Sequence, residues 1–241
     1  MVEGFKLTAK KLKRYLKIST HLPKDYYETN KEYPMLLVFD GDLFFSFLTE
    51  DDKKINLAKK LDEINSKFIT IGLFSPKIPE WRISELNPYY NGDKSDVDTT
   101  LSINYYDYII NELLPILKVK YRLNNEIYLF GLNEGAIASI YMLYHYDING
   151  AILFNPVLEE CNDKLYEDIN NSFDKSKRLY LYKGGKDISD TELNNFYKFE
   201  EFIENKNPLY FMVDYDKNRD NSYDSIDKHI NSSLELVKAK I

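Results

Sequence analysis

Residues 126–146, EIYLFGLNEGAIASIYMLYHY, hold the pattern that decides the fold. A short apolar run at residues 127–130 predicts a strand, and the apolar residues after Gly135 predict a helix. Gly131 and Gly135 bound a tight turn in which the two backbones approach closely. The spacing matches a nucleophile elbow, G-x-S-x-G, which sets a serine at the carboxyl end of a strand. The serine position holds Asn133, whose amide is no nucleophile at neutral pH.

The rest of the chain alternates predicted strands with predicted helices. Apolar runs or alternating patterns predict strands at residues 15–22, 34–39, 68–74, 150–155, 178–183 and 209–214. Helices are predicted at residues 51–66, 99–121, 158–173, 192–203 and 225–241, with a polar loop at residues 75–97. Pro115 is expected to kink the second of these helices. This order predicts an α/β fold, with a mostly parallel central sheet and helices on both faces. No linker interrupts it, so residues 1–241 are predicted to form a single domain.

Composition excludes several classes of protein. With 32 basic and 39 acidic residues, the formal charge is −7, which argues against a nucleic-acid binder. No run approaches the ~20 apolar residues that span a bilayer, and the first 20 residues lack the apolar stretch of a signal peptide. The single cysteine, Cys161, suits a reducing compartment. We therefore expect a cytoplasmic protein with no nucleic-acid or membrane partner.

Three further segments contain recognisable motifs. Residues 22–26 (LPKDY), with Tyr33-Pro34 and the Asp40-Gly41 pair, match "LP-x-x-Y … YP … DG". Residues 82–88 (RISELNP) match "R-x-x-E/D-L/Y-T-P", and residues 111–116 (NELLPI) with Tyr121-Arg122 match "ELIPYI … YR". In this order and spacing, the chain resembles the esterase D or enterochelin-esterase-like branch of the α/β-hydrolase superfamily over nearly its whole length. The resemblance implies the α/β-hydrolase fold and ester hydrolysis by a serine, an acid and a histidine.

The resemblance assigns a position to each member of that triad, in the chain order nucleophile, acid, histidine. The nucleophile position falls on Asn133. The acid position falls on Asp187, which follows the predicted strand at residues 178–183. The histidine position, in residues 223–226 (YDSI), falls on Tyr223. Two of the three triad members are therefore absent from the expected positions.

The resemblance also implies an oxyanion hole and a pocket rim. The oxyanion donors would be the backbone N–H of Glu134 and one N–H from the turn that contains Gly41 and Asp42. The carboxylate of Glu134 would lie beside this hole and disfavour an oxyanion. Trp81 and Arg82 are candidates for the pocket rim, with ordinary surface packing as the alternative.

The other reactive side chains offer no obvious replacement for the triad. We expect His21 on the polar face of a strand, His145 at a helix end, and His229 as a solvated residue too far along the last helix. Cys161 follows two glutamates, which should raise its pKa and make it a poor nucleophile.

No metal or cofactor is expected. Residues 214–218 begin like an EF-hand loop, but Arg219 and Ser225 replace the required glycine and closing glutamate. The chain has too few cysteines and histidines for a zinc set, and it lacks the phosphate-binding glycine motifs.

The sequence thus favours an esterase-like protein without catalysis, which retains a site for a small ester-like ligand or a partner surface. One alternative is an active carboxylic-ester or thioester hydrolase that uses another hydroxyl, such as Ser139 or Ser84. The other alternative is a non-enzymatic binding or scaffold protein whose pocket holds a small ester or siderophore-like ligand. The sequence leaves the ligand, the protein partners and formation of a homo-oligomer open.

Overall fold

The computed structural model describes residues 2–45 and 56–236, and its centre is one eight-stranded sheet. The strand order is β1-β2-β4-β3-β5-β6-β7-β8. β1 pairs antiparallel with β2, and β2 with β4, whereas all later pairs are parallel. The strands are β1 (Val2–Ala9), β2 (Arg14–His21), β3 (Tyr33–Val38), β4 (Ile69–Leu73), β5 (Leu123–Leu132), β6 (Gly150–Phe154), β7 (Arg178–Gly184) and β8 (Tyr210–Asp216).

The parallel strands form where the sequence has short apolar runs. Every residue of β3, β4 and β6 is buried, as expected for parallel strands covered on both faces. Both faces are covered by helices, so the predicted architecture is confirmed. The helices are α1 (Gly41–Phe44), α2 (Leu57–Glu63), α3 (Pro79–Leu86), α4 (Thr100–Tyr108), α5 (Leu114–Lys120), α6 (Glu134–His145), α7 (Lys164–Ser172), α8 (Asp190–Glu204) and α9 (Tyr223–Leu236).

The sheet separates two hydrophobic cores. Helices α3 to α8 contribute to the core on one face. Helices α1, α2 and α9 contribute to the core on the other face. Ile226, Ile230 and Leu234 of α9 are buried in the second core. Residues 51–55 and 237–241 of two predicted helices lie outside the described residues.

β1 and α3 differ from the sequence prediction. β1 was not predicted; it is an edge strand that pairs along its whole length with β2. Helix α3 lies inside the predicted loop at residues 75–97, with a proline in its first turn, where the missing N–H costs nothing.

The long predicted helix has a widened turn near its proline. A π-helical segment, Ile109–Leu113, joins α4 to α5. Pro115 has no N–H to donate to the carbonyl of residue 111, so the regular hydrogen-bond ladder is interrupted at this point. Within the described ranges, no helix is both long enough and apolar enough to cross a membrane.

Candidate functional site at the carboxyl edge of the sheet

The strand pairings of β5 with β6 and of β6 with β7 end at the same level of the sheet. Leu132 of β5 pairs with Phe154 of β6, and Phe154 pairs with Tyr182 of β7. The next residues, Asn133, Asn155 and Lys183, therefore stand side by side at this edge. In α/β sheets ligands bind outside the carboxyl ends of the strands, which makes this edge the candidate site.

Asn133 occupies a strained turn between β5 and α6. Its φ of 53° and ψ of −114° lie in a region that few non-glycine residues adopt, although asparagine tolerates positive φ better than most. Its N–H donates to the Phe154 carbonyl at 3.0 Å, and its own carbonyl accepts from the Ala136 N–H at 3.0 Å. A Cβ on Gly131 would lie 2.0 Å from the Gly135 carbonyl oxygen, so the turn requires glycine there.

The side-chain amide of Asn133 is free to meet a ligand. The residue is partly exposed, and no group in the described part of the chain hydrogen-bonds its side chain. An amide can donate and accept hydrogen bonds but cannot attack a carbonyl carbon.

Arg82, on α3, ties the turn after β3 to the start of α6. Its guanidinium donates to both carboxylate oxygens of Asp40, at 2.8 and 2.6 Å, and to the Leu132 carbonyl at 3.3 Å. It also forms an ion pair with Glu134. Burial would lower the pKa of Arg82, but the two carboxylates outweigh it and raise that pKa above its ordinary value. Arg82 thus lies beside the Asn133 turn, and its role at a pocket rim stays a prediction.

The ion pairs of Arg82 leave the turn negatively charged. One guanidinium neutralises only one of the two carboxylates, Asp40 and Glu134. The first N–H groups of a helix have no partner within it, and the Glu134 N–H finds no acceptor elsewhere among the described residues. The backbone donor expected for an oxyanion hole is present, next to a surplus negative charge.

The other expected pocket residues are less centrally placed. Gly41 begins the short helix α1, where a turn was expected, and packs against the backbone of Gly72. Asp42 forms an ion pair with the exposed Lys77. The side chain of Trp81 points away from the core, since 60% of this residue is exposed.

Of the two remaining triad positions, the structure describes the side chain of Asp187 but not that of Tyr223. Asp187 follows β7 as predicted, but its side chain is 81% exposed and its ion pair is with Lys186, at 4.0 Å. β7 lies two strands from β5, or about 10 Å at the usual strand spacing. Tyr223 is the first residue of α9, and its side chain lies outside the described part.

All three histidines of the chain contact residues other than Asn133. His21 was expected on a polar face, but it is 1% exposed because α2 covers it, and its Nε2 lies 2.9 Å from Asp62 Oδ1. His145, at the end of α6 as expected, stacks on Tyr141. His229 is not solvated as expected, since its Nδ1 lies 2.7 Å from Asp214 Oδ2 and its ring packs on Tyr182.

Other hydroxyl and thiol groups are also engaged. Ser139 is fully buried and donates to the Gly135 carbonyl at 2.8 Å. Ser84 is 1% exposed and donates to the Glu80 carbonyl at 2.7 Å. Burial first, and then the neighbouring glutamates, raise the pKa of the Cys161 thiol. Ser139 and Ser84 therefore lack the exposure that an attacking group requires, and the raised pKa of Cys161 disfavours its thiolate.

Several polar residues at this edge were missed in the sequence. Lys183 is 3% exposed and forms an ion pair with Glu192 of α8 at 3.3 Å. Asn155 adopts a φ of 46°, and its Oδ1 accepts from the Gly184 N–H at 3.1 Å. Their positions in the sequence could have indicated them, because Asn155 and Lys183 are the last residues of two predicted strands.

Metal ligation has no support in the described ranges, which contain no group of three or more His, Cys, Asp or Glu side chains able to hold an ion. In the EF-hand-like stretch, Asp214 lies on β8 and binds His229 and the Tyr180 hydroxyl instead.

Comparisons with known proteins agree with this geometry. A family model described as "Putative esterase" matches residues 9–161, and a search of curated proteins found no match. An IroE-like serine hydrolase from Shewanella oneidensis superposes with a TM-score of 0.82 at 17% identity, over 98% of this chain and 80% of its own. The BES protein from Bacillus cereus gives a TM-score of 0.80 at 16% identity, over 99% and 96%.

A larger enzyme is also similar. The enterobactin esterase FES from Shigella flexneri gives a TM-score of 0.74 at 12% identity, over 98% of this chain and 59% of its own. The present chain therefore matches only part of that enzyme. At these identities the structural matches show the fold alone, and the α/β-hydrolase fold predicted from the sequence is confirmed.

Proposed function

Because the chain belongs to the esterase family described above, we propose that it keeps the esterase fold and binds a small ester-like ligand without hydrolysing it. The observation that carries the proposal is the turn at Asn133. Its backbone makes a tight turn from β5 into α6 with a φ of 53°, and its side chain is an amide. On this proposal Asn133 holds a ligand carbonyl by a hydrogen bond where a serine would attack it.

The absence of a base at the turn supports the same conclusion. In the described structure each histidine contacts an acid on another element and none contacts Asn133, so no imidazole is placed to act as a base at this turn. Removing a triad serine or histidine lowers turnover on the order of 10⁶-fold in well-studied hydrolases. A backbone donor at Glu134 alone would restore only a small part of that rate.

The alternative is an active hydrolase that uses another hydroxyl. Ser139 and Ser84 were the candidates, and both are buried and donate to backbone carbonyls. A substrate could reach neither one without unfolding part of α6 or α3. The geometry therefore favours the binding function.

Hydrolysis and labelling assays test the proposal. We expect no hydrolysis of p-nitrophenyl acetate above the buffer rate and no covalent labelling by a fluorophosphonate probe. Turnover together with a labelled peptide that contains one serine would support the active-hydrolase alternative. A heat-denatured sample serves as the control for nonspecific labelling.

A gain-of-function pair probes the turn itself. If Asn133 holds the nucleophile position and Tyr223 the histidine position, the double variant Asn133→Ser with Tyr223→His should acquire measurable ester hydrolysis and fluorophosphonate labelling at residue 133. Asn133→Ser alone and Tyr223→His alone are the matched controls, and each should stay near the background rate. A folded double variant without any labelling would argue that residue 133 does not occupy the nucleophile position.

A further inference from the structure

A second group of polar side chains lies beside the Asn133 turn, around the 3₁₀ segment Leu158–Glu160 that follows β6. One carboxylate oxygen each of Glu159 and Glu160 is buried and has no hydrogen-bond partner among the described residues. Buried polar atoms are rarely left unpaired in native proteins. These two oxygens therefore require hydrogen-bond donors from outside the chain.

Two buried asparagines belong to the neighbourhood of this segment, since Asn87 contacts Cys161 and Asn155 precedes the segment by three residues. Asn87 is fully buried and Asn155 is 1% exposed, and neither Nδ2 has a partner in the described structure. The Oδ1 of Asn87 lies 3.8 Å from the Cys161 thiol, next in sequence to Glu160. Asn155 stands between Asn133 and Lys183 at the strand ends. Each amide N–H offers a donor to an acceptor oxygen.

The loop that carries Asn87 is fixed against the glutamates. The Asn91 N–H donates to the Glu160 carbonyl at 2.8 Å, and the Asn162 N–H donates to the Tyr89 carbonyl at 2.9 Å. These backbone hydrogen bonds hold the two segments together, which keeps Asn87 beside the segment that carries the two glutamates.

We propose that Glu159 and Glu160, with Asn87 and Asn155, bind a small molecule that carries both a primary ammonium group and a carbonyl oxygen, such as an amino ester or amino amide. The carboxylates receive the ammonium hydrogens, and the amides donate to the carbonyl. The inference rests on the proposed function for the position of the ligand beside Asn133, and it adds the ligand's chemical class.

The charges around the site favour a cation. Among the described residues, Lys183 near Glu159 is paired with Glu192, Arg82 is shared between Asp40 and Glu134, and Lys94 is the cation near Glu160. Burial raises the pKa of both carboxyl groups, and the charge of Glu134 raises them further. An ammonium ion favours the ionised carboxylates, so its binding should release protons and tighten as the pH rises through that raised range.

Thermal unfolding with small probes tests the site. Glycinamide carries both groups and is not an ester, so hydrolysis cannot interfere. Propionamide lacks the ammonium and serves as the matched control. At ten times the dissociation constant, glycinamide should raise the Tm by about 3 °C, and propionamide at the same concentration should not. Calorimetric titration in buffers of different ionisation enthalpy should detect proton release on glycinamide binding.

The variant Glu159→Gln with Glu160→Gln keeps shape and removes the charges, so it should weaken glycinamide binding at least tenfold. Glu201→Gln with Glu204→Gln, on the exposed end of α8, makes the same charge change and should bind normally. If the first double variant fails to fold by circular dichroism, each single variant replaces it.

Three results would overturn the proposal: no shift with glycinamide, an equal shift with propionamide, or unchanged binding in the folded Glu159→Gln variants. A shift with calcium chloride alone would instead indicate a metal site and also overturn it. Ester turnover by the wild-type protein would refute the proposed function without affecting these titrations, so the two failures are distinguishable.

Discussion

Arg82 shows how much of this site depends on single side chains. It contacts the turn after β3, the end of β5 and the start of α6, and only 20% of its side chain is exposed. Asp40, which it neutralises, is 2% exposed and has a φ of 54°. The sequence motif predicted that Arg82 lies at the pocket rim, but it could not show which carboxylates the guanidinium would bind, because these come from distant parts of the chain.

Replacing Arg82 should therefore lower the free energy of unfolding. Arg82→Met leaves a buried carboxylate without a partner, and we expect the free energy of unfolding to fall by about 3 kcal/mol. Urea unfolding monitored by circular dichroism measures this change. Lys77→Met, which removes the exposed partner of Asp42, is the control and should cost less than about 1 kcal/mol. Equal effects of the two substitutions would contradict the structural role of Arg82.

The strain at Asn133 also has a measurable consequence. Positive φ at a non-glycine residue of this kind costs about 1–3 kcal/mol, whereas glycine gives back about 0.5–1 kcal/mol in backbone entropy. Asn133→Gly should thus raise the free energy of unfolding by about 1 kcal/mol, and Asn133→Ala should leave it unchanged or lower it. An unchanged slope of the free energy of unfolding against urea concentration would confirm that only stability has changed. Stabilisation by alanine as large as that by glycine would argue against strain.

At the scale of elements, the glycine spacing predicted the strand–turn–helix unit correctly. Apolar runs likewise predicted the parallel strands, because burial on both faces leaves a clear signal. β1 gave no such signal, since it is an edge strand with one residue in eight buried. The eight residues of α3 were hidden in a stretch with prolines and polar residues, where tertiary contacts rather than local pattern decide the conformation.

The contact between β5 and α6 allows a sharp test. Gly131→Ala would place its Cβ 2.0 Å from the Gly135 carbonyl oxygen, and 2.5 Å from the Ala136 nitrogen. Because these are backbone atoms, the helix must shift, and we expect a loss of at least about 3 kcal/mol. Gly4→Ala, whose Cβ would meet its nearest atom at 3.8 Å, should change stability by less than about 1 kcal/mol. A Tm for Gly131→Ala close to that of Gly4→Ala would contradict the described packing.

For the whole molecule, alternation of strands and helices was enough to predict the architecture, and family motifs were enough to predict the fold. The site was predicted less completely. Residues within motifs, such as Asn133 and Arg82, could be named as candidates in advance. Glu159, Glu160 and Asn87 could not, because strand order and loop packing bring them together. His21 was misplaced because α2, which covers it, is separated from it by more than 30 residues.

The burial of His21 links the stability of the whole fold to pH. Burial lowers the pKa of His21 below its ordinary 6.5, against the raising effect of Asp62. His21 therefore binds a proton more readily in the unfolded chain than in the folded one. Its contribution to the free energy of unfolding is complete above about pH 7 and is lost as the pH falls through the pKa of the unfolded chain. Between pH 6.5 and 5.5 the wild-type protein should lose up to about 1 kcal/mol more than His21→Gln. Parallel denaturant titrations of both proteins at these pH values measure the difference, and identical pH profiles would contradict it.

At the turn, the backbone N–H groups of Asn133 and Glu134 are adjacent in sequence but differ in hydrogen bonding. The N–H of Asn133 is held by the Phe154 carbonyl inside the sheet, whereas the N–H of Glu134 has no acceptor in the described structure. In deuterated water the first should persist until the sheet opens, while its neighbour exchanges within the dead time. A ligand that binds at this edge and accepts a hydrogen bond from the Glu134 N–H would slow exchange of that proton. The exchange rate of the Asn133 N–H would stay unchanged. Two adjacent peptide protons thus form a built-in reporter of occupancy that needs no turnover.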